Sequence, residues 1–220
     1  MADHWTRETI REALEGIGGH VEEPLTAYLR GGGAMVVREF RDGTPDVDLV
    51  TPSPEAFERL SAAIRDAGYE GSFRRDVVDD VGSMRRFRDD QGREIDVFDT
   101  QVGDELILSE GIEDRSDPYV ASGHLEVRLL SPEDIYLRKV VLSSRSEDIA
   151  DRRLLMRADL DFAVIREELA TQDELNDREL PNLVSFGGSA GSSGDSSETS
   201  GDPSETPDGS AGPSGDSTGE

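Results

Sequence analysis

The sequence predicts a fold of the α/β or α+β class, in which a small mixed sheet carries helices on one face and a C-terminal helical region follows. Short apolar runs with a two-residue period predict the strands, and apolar residues at helical spacing predict the helices. Ser131 and Pro132 then open a run of helices without further strands. We therefore expect an N-terminal helix over 1–24, a core over 25–130, a C-terminal helical region over 131–186 and a tail over 187–220.

Helices and strands alternate in the first hundred residues. Thr6 is the expected N-cap of the first helix, which Gly16 ends, and a second long helix begins within 51–55 and ends at Gly68. The turn Asp89–Gly92 is expected to join two strands as a hairpin. The predicted elements are helices over 4–16, over 34–40 and from within 51–55 to 68, and strands over 25–29, 46–50, 69–74, 83–88 and 94–98.

The second half of the chain is expected to contain two further strands and then helices. The strands are predicted over 105–109 and 124–129, and the helices over 132–143, 146–157 and 159–170. From Gly187 onward the chain consists mainly of Gly, Ser, Pro, Asp and Glu. Such a segment buries too little apolar surface to offset its chain entropy, so we expect it to be disordered.

The composition is strongly acidic, with 49 acidic and 23 basic residues and a net charge of −26. Seven of the acids lie in 187–220, so the rest of the chain still carries a net charge of −19. Lys139 is the only lysine, and the other 22 basic residues are arginines. An acidic, lysine-poor surface is typical of proteins that work at molar salt, where the Debye length falls to about 3 Å. We therefore predict a halophilic origin.

The composition also restricts the possible sites and location. The chain has no cysteine, which excludes disulfides and thiolate metal sites, and the three histidines are too scattered to predict a cluster. No apolar run approaches the ~20 residues of a membrane span, and the N-terminus lacks a signal pattern. We expect a cytoplasmic protein without a membrane partner, whose metal ligands are oxygens.

The segment Gly31–Val50 carries the first chemical motif. Asp46 and Asp48 lie in the strand-like run DVDLV, and side chains two apart on a strand share a face. The carboxylates should therefore project together while Val47 and Leu49 pack behind them. Two adjacent carboxylates repel each other unless a proton or a cation lies between them. Mg²⁺, which binds carboxylates together with substrate phosphates, is the expected partner.

The motif and its surroundings resemble the nucleotidyltransferase fold of the DNA polymerase β type. Small prokaryotic members of that superfamily show GGxA followed by T-x-D-h-D, with h apolar, and a later acid between apolar residues. The matching residues here are Gly31, Gly32, Ala34, Thr44, Asp46 and Asp48, with Asp96 as the later acid. The resemblance spans roughly 25–170.

The resemblance implies a metal-dependent transfer of a nucleoside monophosphate. Asp46 and Asp48 would bridge two Mg²⁺ or Mn²⁺ ions, and Asp96 would hold the ion that activates the attacking hydroxyl. The substrate would be a nucleoside triphosphate and the acceptor a tRNA, another RNA or a protein, with a cognate toxin or antitoxin as partner. The alternative is a non-catalytic protein that keeps the fold as an antitoxin or regulatory binding module.

Four further residues are candidates for nucleotide binding. Gly31 and Gly32 allow close backbone approach to a phosphate, or they serve only a tight connection from strand to helix. Thr44 would orient the turn or bind a phosphate. Lys139 would reach the triphosphate or pair with Asp96, unless it is a surface lysine retained by chance.

Other charged residues around the motif have less specific interpretations. Arg41 is in doubt as a phosphate ligand, because relatives place a basic residue where Asp42 stands here. Arg145, Asp148 and Asp151 match an R-x-x-D-x-x-D pattern, which we expect to order the helices rather than line the cleft. A third set of basic residues is expected to form a solvated strand face rather than a phosphate-binding patch: Arg85, Arg86 and Arg88.

Overall fold

The computed structural model describes residues 4–72, 84–100, 106–141 and 146–176, all of which belong to one unit, Met1–Pro181. Within these residues the helices are α1 (Arg7–Gly18), α2 (Gly31–Val37), α3 (Pro54–Asp66), α4 (Glu110–Arg115), α5 (Pro132–Val141), α6 (Ser146–Leu155) and α7 (Phe162–Asn176). The strands are β1 (Leu25–Arg30), β2 (Asp46–Val50), β3 (Glu70–Ser72), β4 (Met84–Arg88), β5 (Glu94–Phe98), β6 (Asp117–Ser122) and β7 (Leu125–Leu129).

The strands form one mixed sheet in the order β3-β4-β5-β2-β1-β7-β6. The pairs β2–β5 and β1–β7 are parallel, and the other four pairs of neighbours are antiparallel. β2 lies in the interior of the sheet, between β1 and β5. The expected mixed α/β architecture is therefore confirmed.

The two faces of the sheet differ in chemistry. One face carries Val47, Leu49, Ile95 and Val97, all of which are buried, and α1 and α3 pack against the strands on this side. The opposite face carries the carboxylates of β2 and β5. Because side chains alternate along a strand, burial of the apolar set fixes the acidic set on the other face.

Several predicted elements are confirmed with shifted ends. Thr6 caps α1 as expected, but the helix continues past Gly16 to Gly18, whose Cα packs against Ser122. The third C-terminal helix begins later than predicted because Asp161 accepts hydrogen bonds from the free N–H groups of its first turn. It then extends to Asn176.

The short helix predicted over 34–40 lies earlier in the chain. α2 begins at Gly31, directly after β1, so the glycines form its first turn rather than a separate loop. It ends at Val37 because Glu39 adopts a left-handed conformation with φ of 64°. The Phe40 N–H then bonds the Met35 carbonyl at 2.8 Å, which closes the helix.

The strand predicted over 105–109 is wrong for the part that is described. Residues 106–108 are irregular, and Ser109 is the N-cap of α4, which the sequence analysis did not predict. The backbone N–H and carbonyl of Ile107 both bond the side-chain amide of Gln172, each at 2.8 Å. The Gln172 amide takes the place of a neighbouring strand as hydrogen-bond partner. The backbone N–H and carbonyl of Ile107 are therefore paired although this segment does not join the sheet. β6 was also not predicted.

Some predictions lie outside the described residues. These are the ends of predicted elements at 73–74, 83, 105 and 142–143, Arg145, and the tail over 187–220. Of the residues that the structure describes, none belongs to a helix long and apolar enough to cross a membrane.

Candidate metal centre

Asp46, Asp48 and Asp96 come together at the polar face of the sheet. Parallel pairing of β2 with β5 places Asp48 level with Asp96 and Asp46 level with Glu94. One carboxylate oxygen from each of the three aspartates lies within 4.8 Å of the others. Asp46 and Asp48 are half-buried and Asp96 is buried. We call this group the carboxylate triad.

The expected projection of Asp46 and Asp48 to one side is confirmed by the packing of β2. Val47 and Leu49, which alternate with them, are only 1% and 0% exposed. Any slip of the strand by one residue would bury both aspartates in the apolar core, so the core holds the acids in position.

The carboxylate triad is electrostatically crowded. Burial raises the pKa of Asp46 from 3.8 to about 6, and the neighbouring charges of Asp48 and Asp96 add to the increase. Burial also raises the pKa of Asp96, although a hydrogen bond from Arg86 opposes the change. Such a group of acids is stabilised by a cation.

The oxygen ligands and their spacing fit a divalent ion such as Mg²⁺ or Mn²⁺. Hard cations bind carboxylate oxygens, and carboxylates that meet on one polar face provide a shared binding position. The residues that would hold the ion are the three predicted from the sequence, Asp46, Asp48 and Asp96.

Arg86 belongs to the site, contrary to the role predicted from the sequence. Its side chain was expected on a solvated strand face, but it bonds both oxygens of Asp96, with Nε 2.8 Å from Oδ1 and Nη2 2.6 Å from Oδ2. The antiparallel pairing of β4 with β5 sets Arg86 directly opposite Asp96. This ion pair raises the pKa of Arg86 further above its ordinary value.

The register of the β4–β5 hairpin explains why Arg86 was missed. A turn limited to Asp89–Gly92 would pair Arg88 with Arg93 and set Arg85 opposite Asp96. Instead Arg88 pairs with Glu94, so the connection contains one residue more and the register shifts by one. A one-residue shift moves every side chain of a strand to the other face. The position of the turn alone did not fix the register.

The two glycines of the motif lie against the site. Gly31 has φ of +60°, and a Cβ there would overlap Asp48 Oδ2. A Cβ on Gly32 would overlap the hydroxyl of Thr44, which in turn lies 3.3 Å from Asp46 Oδ1. The missing side chains therefore let α2 approach the aspartates closely, which is one of the two roles expected for these glycines.

Lys139 lies in a separate ion-pair cluster, and the expected alternative in which it pairs with Asp96 is wrong. Its ammonium group lies 2.7 Å from Asp148 Oδ1 and 2.9 Å from Asp151 Oδ2. Burial opposes the charged form, but these hydrogen bonds outweigh burial and raise the pKa of Lys139. Asp96 pairs with Arg86 instead because the sheet register places that arginine closer.

The Lys139 cluster continues to the start of α2. Arg41 Nη1 lies 3.3 Å from Asp151 Oδ1, and the same nitrogen lies beside Gly32. Asp148 and Asp151 are both buried. These two aspartates were expected to order the helices. Their ion pairs with Lys139 and Arg41 agree with that role, because they connect α6 to the rest of the fold.

Several solved structures resemble this chain at low sequence identity. No protein-family model and no curated protein matches the sequence. An inferred nucleotidyltransferase from Thermotoga maritima superposes with a TM-score of 0.47 at 13% identity, covering 70% of this chain and 98% of its own. An inferred nucleotidyltransferase from H. pylori gives 0.46 at 13% identity, covering 78% and 76%. The lincosamide antibiotic adenylyltransferase LnuA gives 0.40 at 12% identity, covering 59% and 85%. Matches this distant assign neither a substrate nor an activity, so the case for function rests on the carboxylate triad.

Proposed function

We propose that this protein is a metal-dependent nucleotidyltransferase. The observation that carries the proposal is the meeting of Asp46, Asp48 and Asp96 on one face of a mixed sheet, with oxygens within 4.8 Å of one another. The sequence motif that predicted this meeting also predicted which strands would carry it. Agreement between the sequence motif and the three-dimensional cluster supports a built site over a chance group of surface acids.

In this proposal the aspartates hold Mg²⁺ or Mn²⁺. Asp46 and Asp48 lie on one strand and would contribute to both ions of a two-metal site, and Asp96 would contribute to one of them. The bound ions would activate the attacking hydroxyl and neutralise charge on the α-phosphate and on the leaving pyrophosphate. The raised pKa of Asp46 supports the same assignment, because crowded carboxylates gain most from a cation.

The nucleoside triphosphate would bind next to α2. Gly31 and Gly32 keep the surface beside Asp48 and Thr44 free of side-chain bulk. Thr44 would bind a phosphate or orient Asp46, to which its hydroxyl already donates at 3.3 Å. Lys139 would act on the triphosphate only after it leaves Asp148 and Asp151.

The acceptor is proposed to be an RNA, such as a tRNA, or a protein. This part of the proposal, together with membership of a toxin–antitoxin pair, is supported by the sequence resemblance alone. The acidity of the chain bears on the choice of conditions, because a net charge of −26 repels both a triphosphate and RNA unless salt screens it. Assays therefore belong at high KCl.

The test is a transfer assay with labelled nucleoside triphosphates, Mg²⁺ and either total RNA or total protein as acceptor. The wild type should label one acceptor class, and Asp48→Asn should lower the rate by about a hundredfold or more, since even outer-shell changes at metal sites cost 10–100-fold. Asp42→Asn is the matched control, because it removes the same charge from an exposed position in the same segment. Equal rates for wild type and Asp48→Asn would refute the proposal.

A further inference from the structure

Arg86 forms an ion pair with Asp96, a carboxylate that a bound metal ion would also need. The guanidinium group bonds both oxygens of Asp96, at 2.8 and 2.6 Å. The Asp96 side chain is only 4% exposed, so few other donors can reach it. A bidentate pair of this kind is among the stronger ion pairs in proteins.

A metal ion and Arg86 cannot both use Asp96 in this arrangement without cost. An ion that takes either oxygen of Asp96 must approach a guanidinium nitrogen that now lies within hydrogen-bond distance of that oxygen. Two cations at such a separation repel each other strongly in a half-buried site. Arg86 therefore opposes metal binding at Asp96, and its withdrawal from the oxygen that the ion takes would relieve this repulsion.

We propose that Arg86 is the resident counter-cation of the carboxylate triad and that it competes with the divalent metal for Asp96. The inference rests on the metal site of the proposed function and adds a residue that controls it. Arg86 is a positioning residue in this account, because it acts through Asp96.

Glu94 gives Arg86 a second partner when it leaves Asp96. Arg86 Nη1 lies 3.1 Å from Glu94 Oε2, and the Glu94 side chain is 21% exposed. The arginine can therefore keep one ion pair while it yields an oxygen of Asp96. Arg88, on the same strand and face, also pairs with Glu94.

If Arg86 competes with the metal, one substitution should have two opposite effects, one on stability and one on metal affinity. Arg86→Gln leaves the buried Asp96 without its cation, so the metal-free protein should become less stable. The same substitution removes a positive charge from the metal site, so the affinity for Mn²⁺ should rise. A residue that only supports the fold would not increase metal affinity when it is removed.

The experiment is a Mn²⁺ titration by calorimetry and electron paramagnetic resonance, with a thermal melt in EDTA. Arg86→Gln should bind Mn²⁺ about tenfold more tightly than the wild type and should melt at a lower temperature in EDTA. Arg86→Lys keeps the charge but loses the bidentate contact, and its Mn²⁺ affinity should lie between the two. Arg88→Gln is the control, because it removes the same charge from the same strand without touching Asp96, and it should change Mn²⁺ affinity by less than about threefold.

Two outcomes would overturn the inference. If Arg86→Gln binds Mn²⁺ no more tightly than Arg88→Gln, Arg86 does not compete with the metal. If Arg86→Gln binds Mn²⁺ more weakly than the wild type, Arg86 helps Asp96 to act as a ligand, which is the opposite role. Asp48→Asn separates these failures from failure of the metal site, because equal binding by wild type, Asp48→Asn and Arg86→Gln would refute both.

Discussion

Two groups of buried or half-buried acids in this fold have their charge compensated in different ways. Asp134 and Glu168 share Arg115, whose Nη2 lies 2.7 Å from Asp134 and 2.6 Å from Glu168. Their remaining oxygens accept hydrogen bonds from neighbouring polar side chains: Ser131 to Asp134, and Ser109 and Gln172 to Glu168. We call these six residues the Arg115 network. It joins α4, α5 and α7, and each carboxylate oxygen in it accepts a hydrogen bond.

Among the described residues, hydrogen bonds satisfy the carboxylate triad less completely: Arg86 bonds both oxygens of Asp96, and Thr44 bonds one oxygen of Asp46. Burial raises the pKa of both Asp46 and Asp134, but the next causes differ. For Asp134 they are hydrogen bonds from Arg115 and Ser131, which oppose the increase. For Asp46 they are the charges of Asp48 and Asp96, which strengthen it. Buried acids whose oxygens accept hydrogen bonds help to stabilise a fold. Acids that lie mainly beside other acids repel each other, and a bound cation stabilises such a group.

The largest expected effect on stability comes from the Arg115 network. Arg115→Ala would leave Asp134 and Glu168 buried without their cation, and breaking a buried pair in this way costs about 3 kcal/mol or more. The free energy of unfolding, measured in urea, should fall by that amount while the affinity for Mn²⁺ stays the same. Arg59→Ala removes an exposed pair with Glu23 and should cost less than about 1 kcal/mol. Loss of Mn²⁺ binding in Arg115→Ala would show that the two groups are coupled.

A smaller and more local effect is expected at Gly31. Gly31→Ala places a side chain at φ of +60° and against Asp48 Oδ2. We expect a loss of about 1–2 kcal/mol in stability from the backbone strain, together with at least tenfold weaker Mn²⁺ binding. Gly68→Ala provides the control, since its φ is +96° but nothing lies within 4 Å of the added carbon. It should lose stability and keep its Mn²⁺ affinity. If both variants bind Mn²⁺ like the wild type, the close approach of α2 does not matter to the site.

The last expected effect is confined to the metal-free protein and concerns the pH dependence of the carboxylate triad. The pKa of Asp46 is about 6 in the folded protein against 3.8 for an ordinary aspartate, so the folded state holds the proton more tightly. The stability of the wild type relative to Asp46→Asn should therefore fall as the pH rises from about 4 to about 6, and remain low above that. Thermal melts of both proteins in EDTA across this range measure the difference.

Added Mn²⁺ should reverse that pH trend in the wild type, because the metal binds the ionised carboxylates. Asp46→Asn should respond less. A difference between the two proteins that does not change with pH in EDTA would mean that Asp46 titrates normally and that the triad is not crowded.

The sequence predicted the parts of the fold that depend on local pattern. The DVDLV run gave both its strand and the common face of Asp46 and Asp48, because alternation in a strand is fixed by geometry. Asp96 was also placed correctly, through its strand-like run. The strand predicted over 105–109 failed because its backbone bonds go to Gln172, some sixty-five residues away, and no local pattern reports such a partner.

The basic residues in and near the site were harder to predict than the acids. Arg86 and Arg85 are adjacent on β4, and a shift of one residue in the hairpin decides which of them faces Asp96. The partner of Lys139 likewise depends on how α6 packs, which brings in Asp148 and Asp151. Ion pairs between distant segments depend on strand register and helix packing. The sequence therefore identifies the candidate residues, whereas the fold determines which of them pair. The halophilic origin, the nucleotide contacts and the acceptor stay predictions.

The most direct test of the central claim is a calorimetric titration of Mn²⁺ into the wild type, Asp48→Asn and Asp42→Asn at high KCl. The wild type and Asp42→Asn should bind Mn²⁺ equally, and Asp48→Asn should lose at least tenfold in affinity with little change in its melting temperature in EDTA. Equal binding by all three proteins would contradict the claim that Asp46, Asp48 and Asp96 form a metal site.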